Sequence, residues 1–526
     1  MKTKYSPVVL VVLDGWGLSA DRRNILHTTE LPTMEKMSAY YPFVALQASG
    51  IAVGLPWGEP GNSEVGHMTM GAGRIIYQNL PRISLAIQNE SFFTMPAFTK
   101  AVENVRKNDS TLHLMGLVST GAVHSHYDHL LALLELAKRN NLSRVAVHAF
   151  TDGRDSSPTS GVKVIAQLSE ALKNTGPGTL ATVAGRHWAM DRNNNWERTA
   201  ETYRCLTDAA AAPRAKDAVE LLRQSYKRSV TDEFVPPTII AADETEAADT
   251  RIKDGDSVIF FNYREDRARQ LTKAFALDDF DGFRREKRPR VFFVSMTEYD
   301  KNLPVQVAFA PQEINHTLGE VLSAKGKKQL RIAETEKYAH VTYFFNGGTE
   351  KPLPGEERVL IPSPTVPHFD EAPEMSAAAI TDRIVRDLEK YDFILVNYAN
   401  ADMVGHTGNE KACRQAVKAI DKTLSILIPA VLRAGGALLI TADHGNVEVL
   451  FNYQTGGINT EHSANPVPLW FLTADNHRSE ARNKDFMPQV VGLLSDIAPT
   501  VLALFGIPKP TDMHGQNLLP LLKEKN

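Results

Sequence analysis

Unbroken hydrophobic runs that end in polar residues alternate along this chain with segments of helical periodicity. The run Val8–Leu13 is rich in β-branched residues and ends at Asp14, which is typical of a strand buried on both faces of a parallel sheet. Three later stretches share this pattern: Tyr391–His406, Gly435–Asn446 and Asn465–Thr473. Helical patterns at 375–391 and 411–435 separate them, so the chain predicts an α/β fold with a parallel sheet.

A second alternating set in the middle of the chain predicts a second α/β unit. Its strand-like segments are 110–119, 144–155, 180–188 and 256–266, and the segment 126–140 has helical periodicity. A chain of 526 residues exceeds what one hydrophobic core usually covers. We therefore expect a discontinuous domain, residues 1–78 and 311–526, interrupted by an inserted α/β domain at residues 79–310.

Composition narrows the function classes. The net charge of −4 provides no electrostatic footprint for nucleic acid or anionic lipid. Two cysteines, Cys205 and Cys413, cannot form a disulfide framework and fit a reducing compartment. The apolar run near the N-terminus is too short for a secretory signal or a membrane span. We expect a cytoplasmic protein without a nucleic-acid or membrane partner.

The segment Glu59–Arg74, EPGNSEVGHMTMGAGR, is rich in glycine and contains little that could build a core. One interpretation is a surface loop that enters a helix with Ser63 as its N-cap. The other is a nucleophilic serine at a helix N-terminus, where free N–H groups favour an incoming phosphate. The segment alone leaves both open.

Carboxylates and imidazoles recur where the strand-like runs end. The set consists of Asp14, Asp402, His406, Asp443, His444 and His462. Ligand sites in open α/β sheets lie beyond the carboxyl ends of the strands, and carboxylates gathered there repel one another unless a cation is present. Together with Ser63, the set suits two divalent ions, and its three imidazoles favour Mn²⁺ or Zn²⁺ over Mg²⁺ or Ca²⁺. Two such ions would also activate the Ser63 hydroxyl for attack on a phosphoryl group.

Several motifs resemble those of the 2,3-bisphosphoglycerate-independent phosphoglycerate mutases, which belong to the alkaline-phosphatase-like superfamily. The most specific in combination are DGWG at Asp14–Gly17, GNSEVGH at Gly61–His67 and DMVGHTGN at Asp402–Asn409. The matching blocks follow the family's order from Asp14 to Pro468. Glu461, next to His462, departs from the family's usual sequence at this position and leaves the metal preference open.

The resemblance implies an alkaline-phosphatase-like parallel-sheet domain and a closing inserted domain that holds the substrate. One metal cluster would be Asp14, Ser63, Asp443 and His444; the other would be Asp402, His406 and His462. Two divalent ions are implied, with Mn²⁺ favoured and Mg²⁺, Zn²⁺ or Co²⁺ possible. The implied activity is interconversion of 3-phosphoglycerate and 2-phosphoglycerate in glycolysis and gluconeogenesis, with Ser63 carrying the phosphoryl group.

A phosphorylated carboxylic acid requires bidentate arginines and point-charge lysines. The predicted substrate-binding residues are His124, Arg154, Asp155, Arg186, Arg192, Arg264, Arg267 and Lys337. The spacing of Arg264 and Arg267 predicts one helical face directly after a strand. By analogy with the family, Asp155 is the base that deprotonates the accepting hydroxyl, and Lys337 offsets charge at the nucleophile.

The main alternative is a metal-dependent phosphomonoesterase or phosphodiesterase that uses the same Ser63. Phosphopentomutases have a smaller inserted domain than the one predicted here, and neither cysteine lies in the setting that a sulfatase needs. A non-catalytic binding module would not need seven metal-binding residues. We expect a monomer, since two hinged domains form their cleft within one chain.

Overall fold

The computed structural model describes residues 4–176, 178–452, 456–483 and 486–523. The chain forms two compact units, Met1–Gln78 with Gln312–Asn526 and Asn79–Pro311, called here the first unit and the inserted unit. Pro311 lies in the inserted unit, one residue beyond the predicted boundary. Within the described residues, no helix is both long and apolar enough to span a membrane.

An eight-stranded sheet forms the centre of the first unit. Its strands, in spatial order, are Glu356–Ile361, Gln329–Glu334, Phe393–Tyr398, Val8–Leu13, Ala437–Thr441, Val467–Leu472, Phe43–Gln47 and Val490–Leu493. The first five are mutually parallel, as the sequence predicts. A separate two-stranded ribbon pairs Phe451–Asn452 with Gly457–Ile458.

One strand of this sheet differs from the all-parallel expectation. Val467–Leu472 runs antiparallel to both of its neighbours. A parallel return requires a crossover, usually a helix, and the described part of 442–466 contains no helix. The chain therefore stays at the edge where Ala437–Thr441 ends and starts the next strand from there. Three of the predicted metal ligands, Asp443, His444 and His462, lie within this connection.

The helices of the first unit pack around its sheet. The α-helices are Ile25–Thr28, Pro32–Tyr40, Ser63–Ala72, Leu318–Ala324, Ala377–Asp387, Asn400–Gly405, Glu410–Arg433, Ile497–Leu504 and Leu519–Lys523. Shorter 3₁₀ turns are Gly50–Val53, Thr335–Lys337, Phe369–Glu371, Leu388–Lys390 and Leu494–Asp496, and His340–Phe344 forms a π turn. The two helices predicted around 375–391 and 411–435 are confirmed.

The central strand explains how the first unit assembles a site. Every residue of Val8–Leu13 is fully buried, as the continuous apolar run predicts. The strand pairs in parallel with Phe393–Tyr398 on one side and Ala437–Thr441 on the other. In this register Leu13 lies opposite Tyr398, and Val12 lies opposite Thr441. The residues that follow these strands therefore meet at one edge of the sheet.

The inserted unit has its own eight-stranded sheet. Its strands, in spatial order, are Gln306–Phe309, Phe292–Thr297, Ser257–Phe260, Leu112–Leu117, Val145–Thr151, Gly178–Gly185, Thr238–Ile240 and Arg214–Ala215. Thr238–Ile240 is antiparallel to Gly178–Gly185, and the other neighbours are parallel. The four strands predicted from the sequence are confirmed.

The inserted unit also confirms the predicted helix over 126–140, which forms Tyr127–Arg139. Its other α-helices are Asn79–Gln88, Pro96–Asn108, Gly161–Thr175, Arg186–Ala189, Trp196–Thr207, Ala218–Lys227, Glu244–Asp249 and Arg269–Ala276, with 3₁₀ turns at Ser91–Thr94 and Asp232–Phe234. Aliphatic and aromatic side chains of this unit form hydrophobic clusters of their own.

Candidate active site

Ser63 is the first residue of the helix Ser63–Ala72, and it is buried. The N-cap of this helix is Asn62, whose side-chain oxygen accepts a hydrogen bond from the Val65 N–H at 3.1 Å. The interpretation of Ser63 as the N-cap is therefore wrong. Because Asn62 caps the helix, the Ser63 hydroxyl is available for contacts with other side chains.

The helix that begins at Ser63 packs closely against the segment that carries Asp443. A Cβ atom added at Gly66 would lie 2.8 Å from the Asp443 carbonyl oxygen. Any larger residue would push the helix away from this segment. With the helix packed this closely, Ser63 Oγ lies 3.0 Å from His444 Nε2 and donates to Asp14 Oδ1 at 3.2 Å.

Asp14, Asp443 and His444 form the first metal-type cluster. One ligand atom from each lies within 4.8 Å of the others, and all three side chains are buried. Asp443 Oδ2 is buried and accepts no hydrogen bond. Burial, and then the neighbouring Asp443, raises the pKa of Asp14 to about 6. A carboxylate oxygen without a donor in a crowded acidic group fits a bound cation.

Asp402, His406 and His462 form the second cluster. Both imidazole Nε2 atoms lie 3.2 Å from Asp402 Oδ1, and they lie 3.1 Å from each other. The Nδ1 atoms face carbonyl oxygens of Thr460 and Gly61 at 2.7 and 2.8 Å. These carbonyls fix Nδ1 as the donor in each neutral ring and leave the Nε2 lone pair facing the carboxylate. Three acceptor atoms that converge in this way fit a divalent cation.

Lys337 connects the two clusters. It follows the strand Gln329–Glu334 and is buried, and its Nζ donates to Asp14 Oδ1 at 2.7 Å and to Asp402 Oδ2 at 2.6 Å. It also donates to Ser63 Oγ at 2.8 Å. Burial lowers the pKa of Lys337, but the surrounding carboxylates raise it by more than burial lowers it. The net pKa therefore lies well above its ordinary value. A permanent positive charge thus contacts the candidate nucleophile.

Sequence analysis missed two buried residues behind the first cluster. Asn397 Nδ2 donates to Asp14 Oδ2 at 2.7 Å and contacts His67 Nε2 at 3.1 Å. His67 Nδ1 donates to the Ser63 carbonyl oxygen at 2.8 Å. His67 lies one helical turn after Ser63 within GNSEVGH, which was a usable signal. Asn397 lies inside a strand and offered none.

The inserted unit brings a second polar group together after its own strands. Arg186 Nη1 donates to Asp152 Oδ1 at 2.7 Å and to Asp155 Oδ2 at 2.5 Å. His124 Nε2 lies 3.9 Å from Asp155 Oδ2. Burial, and then the nearby Arg186, lowers the pKa of His124 to about 4. His124 is therefore neutral at pH 7.

Asp266, which the sequence analysis did not select, gathers three of the predicted substrate-binding residues. It accepts a hydrogen bond from Arg192 Nη1 at 2.8 Å and pairs with Arg264 Nε at 3.1 Å. Its Oδ1, the oxygen that pairs with Arg264, also lies 3.6 Å from His124 Nδ1. Asp266 lies between Arg264 and Arg267 in the sequence.

Three arginines differ from their predicted environment. Arg264 and Arg267 do not share a helical face, because the helix begins only at Arg269 and both lie in the segment before it. The Arg264–Asp266 pair stabilises this segment, and Arg267 donates to the Met190 carbonyl oxygen at 3.2 Å. Arg154 is an exposed side chain, with its Nη1 3.8 Å from Glu233 Oε1.

Comparisons with known proteins show which family this chain resembles. A family model described as the BPG-independent PGAM N-terminus matches residues 83–301. A second, described as type I phosphodiesterase / nucleotide pyrophosphatase, matches residues 310–480. A 2,3-bisphosphoglycerate-independent phosphoglycerate mutase of Methanosarcina acetivorans is 50% identical over 98% of both chains. One of Clostridium perfringens is 49% identical over 98% of this chain and 99% of its own.

A solved structure extends the similarity to the fold. The phosphoglycerate mutase of Leishmania mexicana, crystallised at low cobalt concentration, is 31% identical and has a TM-score of 0.51 over 97% of both chains. Sheet topology, a buried serine and two acceptor clusters define the class: an alkaline-phosphatase-like enzyme with a site for divalent metal ions. Within that class, the chain belongs to the 2,3-bisphosphoglycerate-independent phosphoglycerate mutase family.

Proposed function

We propose that this protein interconverts 3-phosphoglycerate and 2-phosphoglycerate without free 2,3-bisphosphoglycerate, as a step of glycolysis and gluconeogenesis. The observation that carries the proposal is the environment of Ser63. Its hydroxyl lies within 3.2 Å of Asp14, His444 and Lys337 at the start of a helix. The relatives with about half of their residues identical bear the name of this activity.

Ser63 is the proposed nucleophile. Its Oγ attacks the phosphorus atom, the bond from phosphorus to the glycerate oxygen breaks, the leaving oxygen takes up a proton to become a hydroxyl, and a phosphoserine forms. The hydroxyl proton has an acceptor in Asp14 Oδ1 at 3.2 Å. The Lys337 ammonium, 2.8 Å from Oγ, stabilises the developing negative charge. In the second half, the other glycerate hydroxyl attacks the phosphoserine and Ser63 recovers its proton.

The two clusters are the proposed metal ligands. Asp14, Ser63, Asp443 and His444 would hold one divalent ion, and Asp402, His406 and His462 would hold the other. Such ions lower the pKa of a hydroxyl and neutralise the oxygens of a transferring phosphoryl group. The mixed carboxylate and imidazole set favours Mn²⁺, with Mg²⁺, Zn²⁺ and Co²⁺ as the alternatives.

The polar group of the inserted unit is proposed to bind the phosphorylated acid. The binding residues would be His124, Arg154, Arg186, Arg192, Arg264 and Arg267, with Lys337 of the first unit binding the phosphoryl group. Asp155 is the proposed base for the accepting hydroxyl, and its hydrogen bond from Arg186 orients the carboxylate. The neutral His124 can donate a hydrogen bond without adding charge.

A second candidate function is hydrolysis of a phosphate mono- or diester. The match of residues 310–480 to the phosphodiesterase family supports it, because that region carries most of the predicted metal ligands. The inserted unit argues against it. A hydrolase releases its acid, whereas an arginine-rich group retains the acid for the return transfer.

The deciding experiment supplies 3-phosphoglycerate and Mn²⁺ without 2,3-bisphosphoglycerate. ³¹P NMR follows 2-phosphoglycerate, and a colorimetric assay follows free phosphate. We expect 2-phosphoglycerate to form much faster than free phosphate. Free phosphate at a comparable rate would support the hydrolase instead. Light scattering tests the proposed monomer, and fractionation of the source cells tests the proposed cytoplasmic location.

A further inference from the structure

The Glu448 carboxylate is buried beside the two metal-type clusters but belongs to neither. Its Oε2 accepts hydrogen bonds from the Gly17 N–H at 3.0 Å and the Asn446 N–H at 2.9 Å. Its Oε1 accepts from Asn465 Nδ2 at 2.9 Å and from the Ser463 hydroxyl. Four donors thus occupy the acceptor positions of one carboxylate.

The four donors come from three segments that each carry predicted metal ligands. These segments are 14–17 with Asp14, 443–448 with Asp443 and His444, and 462–465 with His462. The first two segments supply the three residues of one cluster, and the third supplies His462 of the other. Glu448 is therefore bonded to segments that serve both clusters.

Two glycines show how closely the carboxylate is enclosed. A Cβ atom added at Gly17 would lie 2.2 Å from Glu448 Oε1, and one added at Gly445 would lie 2.4 Å from the same atom. Gly445 also accepts a backbone hydrogen bond from Ser463 at 2.9 Å. Side-chain and backbone bonds thus connect the same segments, so a displaced carboxylate would move the loops with it.

We propose that Glu448 is a positioning residue that sets the separation of the two metal clusters. It is a member of neither cluster, and its carboxylate oxygens accept from protein donors. Its effect comes from four hydrogen bonds that require an acceptor on both oxygens. An amide at this position would place an NH₂ group against two of the four donors. The two hydrogen bonds to that side would be lost, and the donors would repel the NH₂ group. This inference rests on the proposed metal centre.

The principal test is Glu448→Gln in the full chain, with Glu356→Gln as the matched control. The Glu356 side chain is also fully buried in the first unit, and it accepts hydrogen bonds from Asn346 and Arg358 at 2.9 and 2.6 Å. Mn²⁺ is titrated into metal-stripped protein, and free Mn²⁺ is followed by electron paramagnetic resonance. We expect at least one of two ions to bind about tenfold more weakly in Glu448→Gln. The control should stay within about twofold of the wild type.

A milder variant keeps the inference testable if Glu448→Gln does not fold. Ser463→Ala removes one donor, on the segment that carries His462. We expect Ser463→Ala to bind one ion several-fold more weakly and the other with unchanged affinity. Ser463→Thr retains a hydroxyl and should restore the affinity. Together with the weaker binding of Mn²⁺, we expect kcat to fall and KM to stay unchanged, since Glu448 is not one of the proposed substrate-binding residues.

The outcomes separate this inference from the proposed function. Two ions bound with unchanged affinity by folded Glu448→Gln, or by Ser463→Ala where the first variant is unfolded, would overturn the positioning role. Failure of the wild type itself to bind two ions would overturn the metal centre instead. Equal weakening in Glu448→Gln and Glu356→Gln would show a general loss of packing and would also overturn the positioning role.

Discussion

The first unit and the inserted unit both place polar side chains after the ends of parallel strands, yet the two groups have opposite chemistry. In the first unit, carboxylates and imidazole Nε2 atoms converge and present acceptors. In the inserted unit, Arg186, Arg192 and Arg264 converge and present donors. The corresponding edges of the two sheets thus suit different ligands: cations in the first unit and an anion in the inserted unit. The comparison teaches that architecture supplies the place and the side chains decide the ligand.

The two groups also differ in how their charges are compensated. Lys337 is the internal cation of the first unit's site, where it contacts Asp14 and Asp402. In the inserted unit the compensation is reversed, because Asp152, Asp155 and Asp266 hold the arginines. Each site therefore contains groups of opposite charge that keep its main residues oriented.

The largest effect that tests this comparison is expected for Ser63→Ala. Removal of the nucleophile should lower kcat by about 10⁴-fold or more, because no other hydroxyl replaces the attacking oxygen. Isomerase assays and circular dichroism measure activity and folding. Ser495→Ala changes another buried serine of the first unit and should remain active. A substantial residual rate in folded Ser63→Ala would exclude the phosphoserine route.

The second largest effect is expected for metal removal, which should affect the first unit and not the inserted unit. Chelation should lower activity by about 10³-fold, because two ions stabilise the transferred charge. Mn²⁺ at 100 times its dissociation constant should stabilise the first unit by about 2.7 kcal/mol for each bound ion. Hydrogen exchange with and without Mn²⁺ localises this gain. Protection that rises mainly in the inserted unit would contradict the assignment of cation and anion sites.

A smaller effect is expected from the donors of the inserted unit. Arg264→Ala should raise KM for phosphoglycerate about tenfold to thirtyfold, which corresponds to one lost charged hydrogen bond of about 1.5–2 kcal/mol. Mn²⁺ affinity should not change. Arg204→Ala is the control, since its side chain is 47% exposed like that of Arg264 and pairs with Glu201 on a helix. An unchanged KM in Arg264→Ala would remove Arg264 from the substrate site.

The smallest effect concerns acid stability. Burial lowers the pKa of His124 to about 4 and that of His129 to about 3, so both are neutral in the folded inserted unit. Because the unfolded chain binds these protons below about pH 6.5, stability should fall as pH decreases toward 4. The limit is about 1.4 kcal/mol per pH unit for each group.

Urea unfolding at pH 7.5 and 5.5, with hydrogen exchange to localise it, measures this loss. His129→Gln should reduce the dependence on pH, and His27→Gln, an exposed residue of the first unit, should not. Stability of the inserted unit that is constant over this range would show that the two imidazoles do not titrate as the burial implies.

Much of the fold was predictable because its signals are local. The buried strands Val8–Leu13, Phe393–Tyr398 and Ala437–Thr441 appear as continuous apolar runs, and the long helix Glu410–Arg433 appears as a periodic pattern. The metal-type residues were found because most of them follow the end of such a strand, and His462 shortly precedes the strand Val467–Leu472. Whether they serve catalysis as proposed stays a prediction for the assays above.

The remaining features depend on partners far apart in the chain. Asn397 and Asp14 are separated by 383 residues, and Gly17 and Glu448 by 431. No periodicity connects such pairs, so Asn397, Glu448 and Asp266 gave no signal as members of the sites. The antiparallel direction of Val467–Leu472 was missed for a related reason, since a strand's own sequence does not encode the direction of its neighbours.

The amino-acid sequence by itself determined the strands, the main helices and the chemical types that follow the strand ends, because hydrophobic patterning and side-chain chemistry are properties of short segments. Only the tertiary structure decided which acceptors share a cluster, which carboxylates hold the arginines and which residue caps the helix of Ser63. Those choices depend on distances of about 3 Å between residues that only folding brings together.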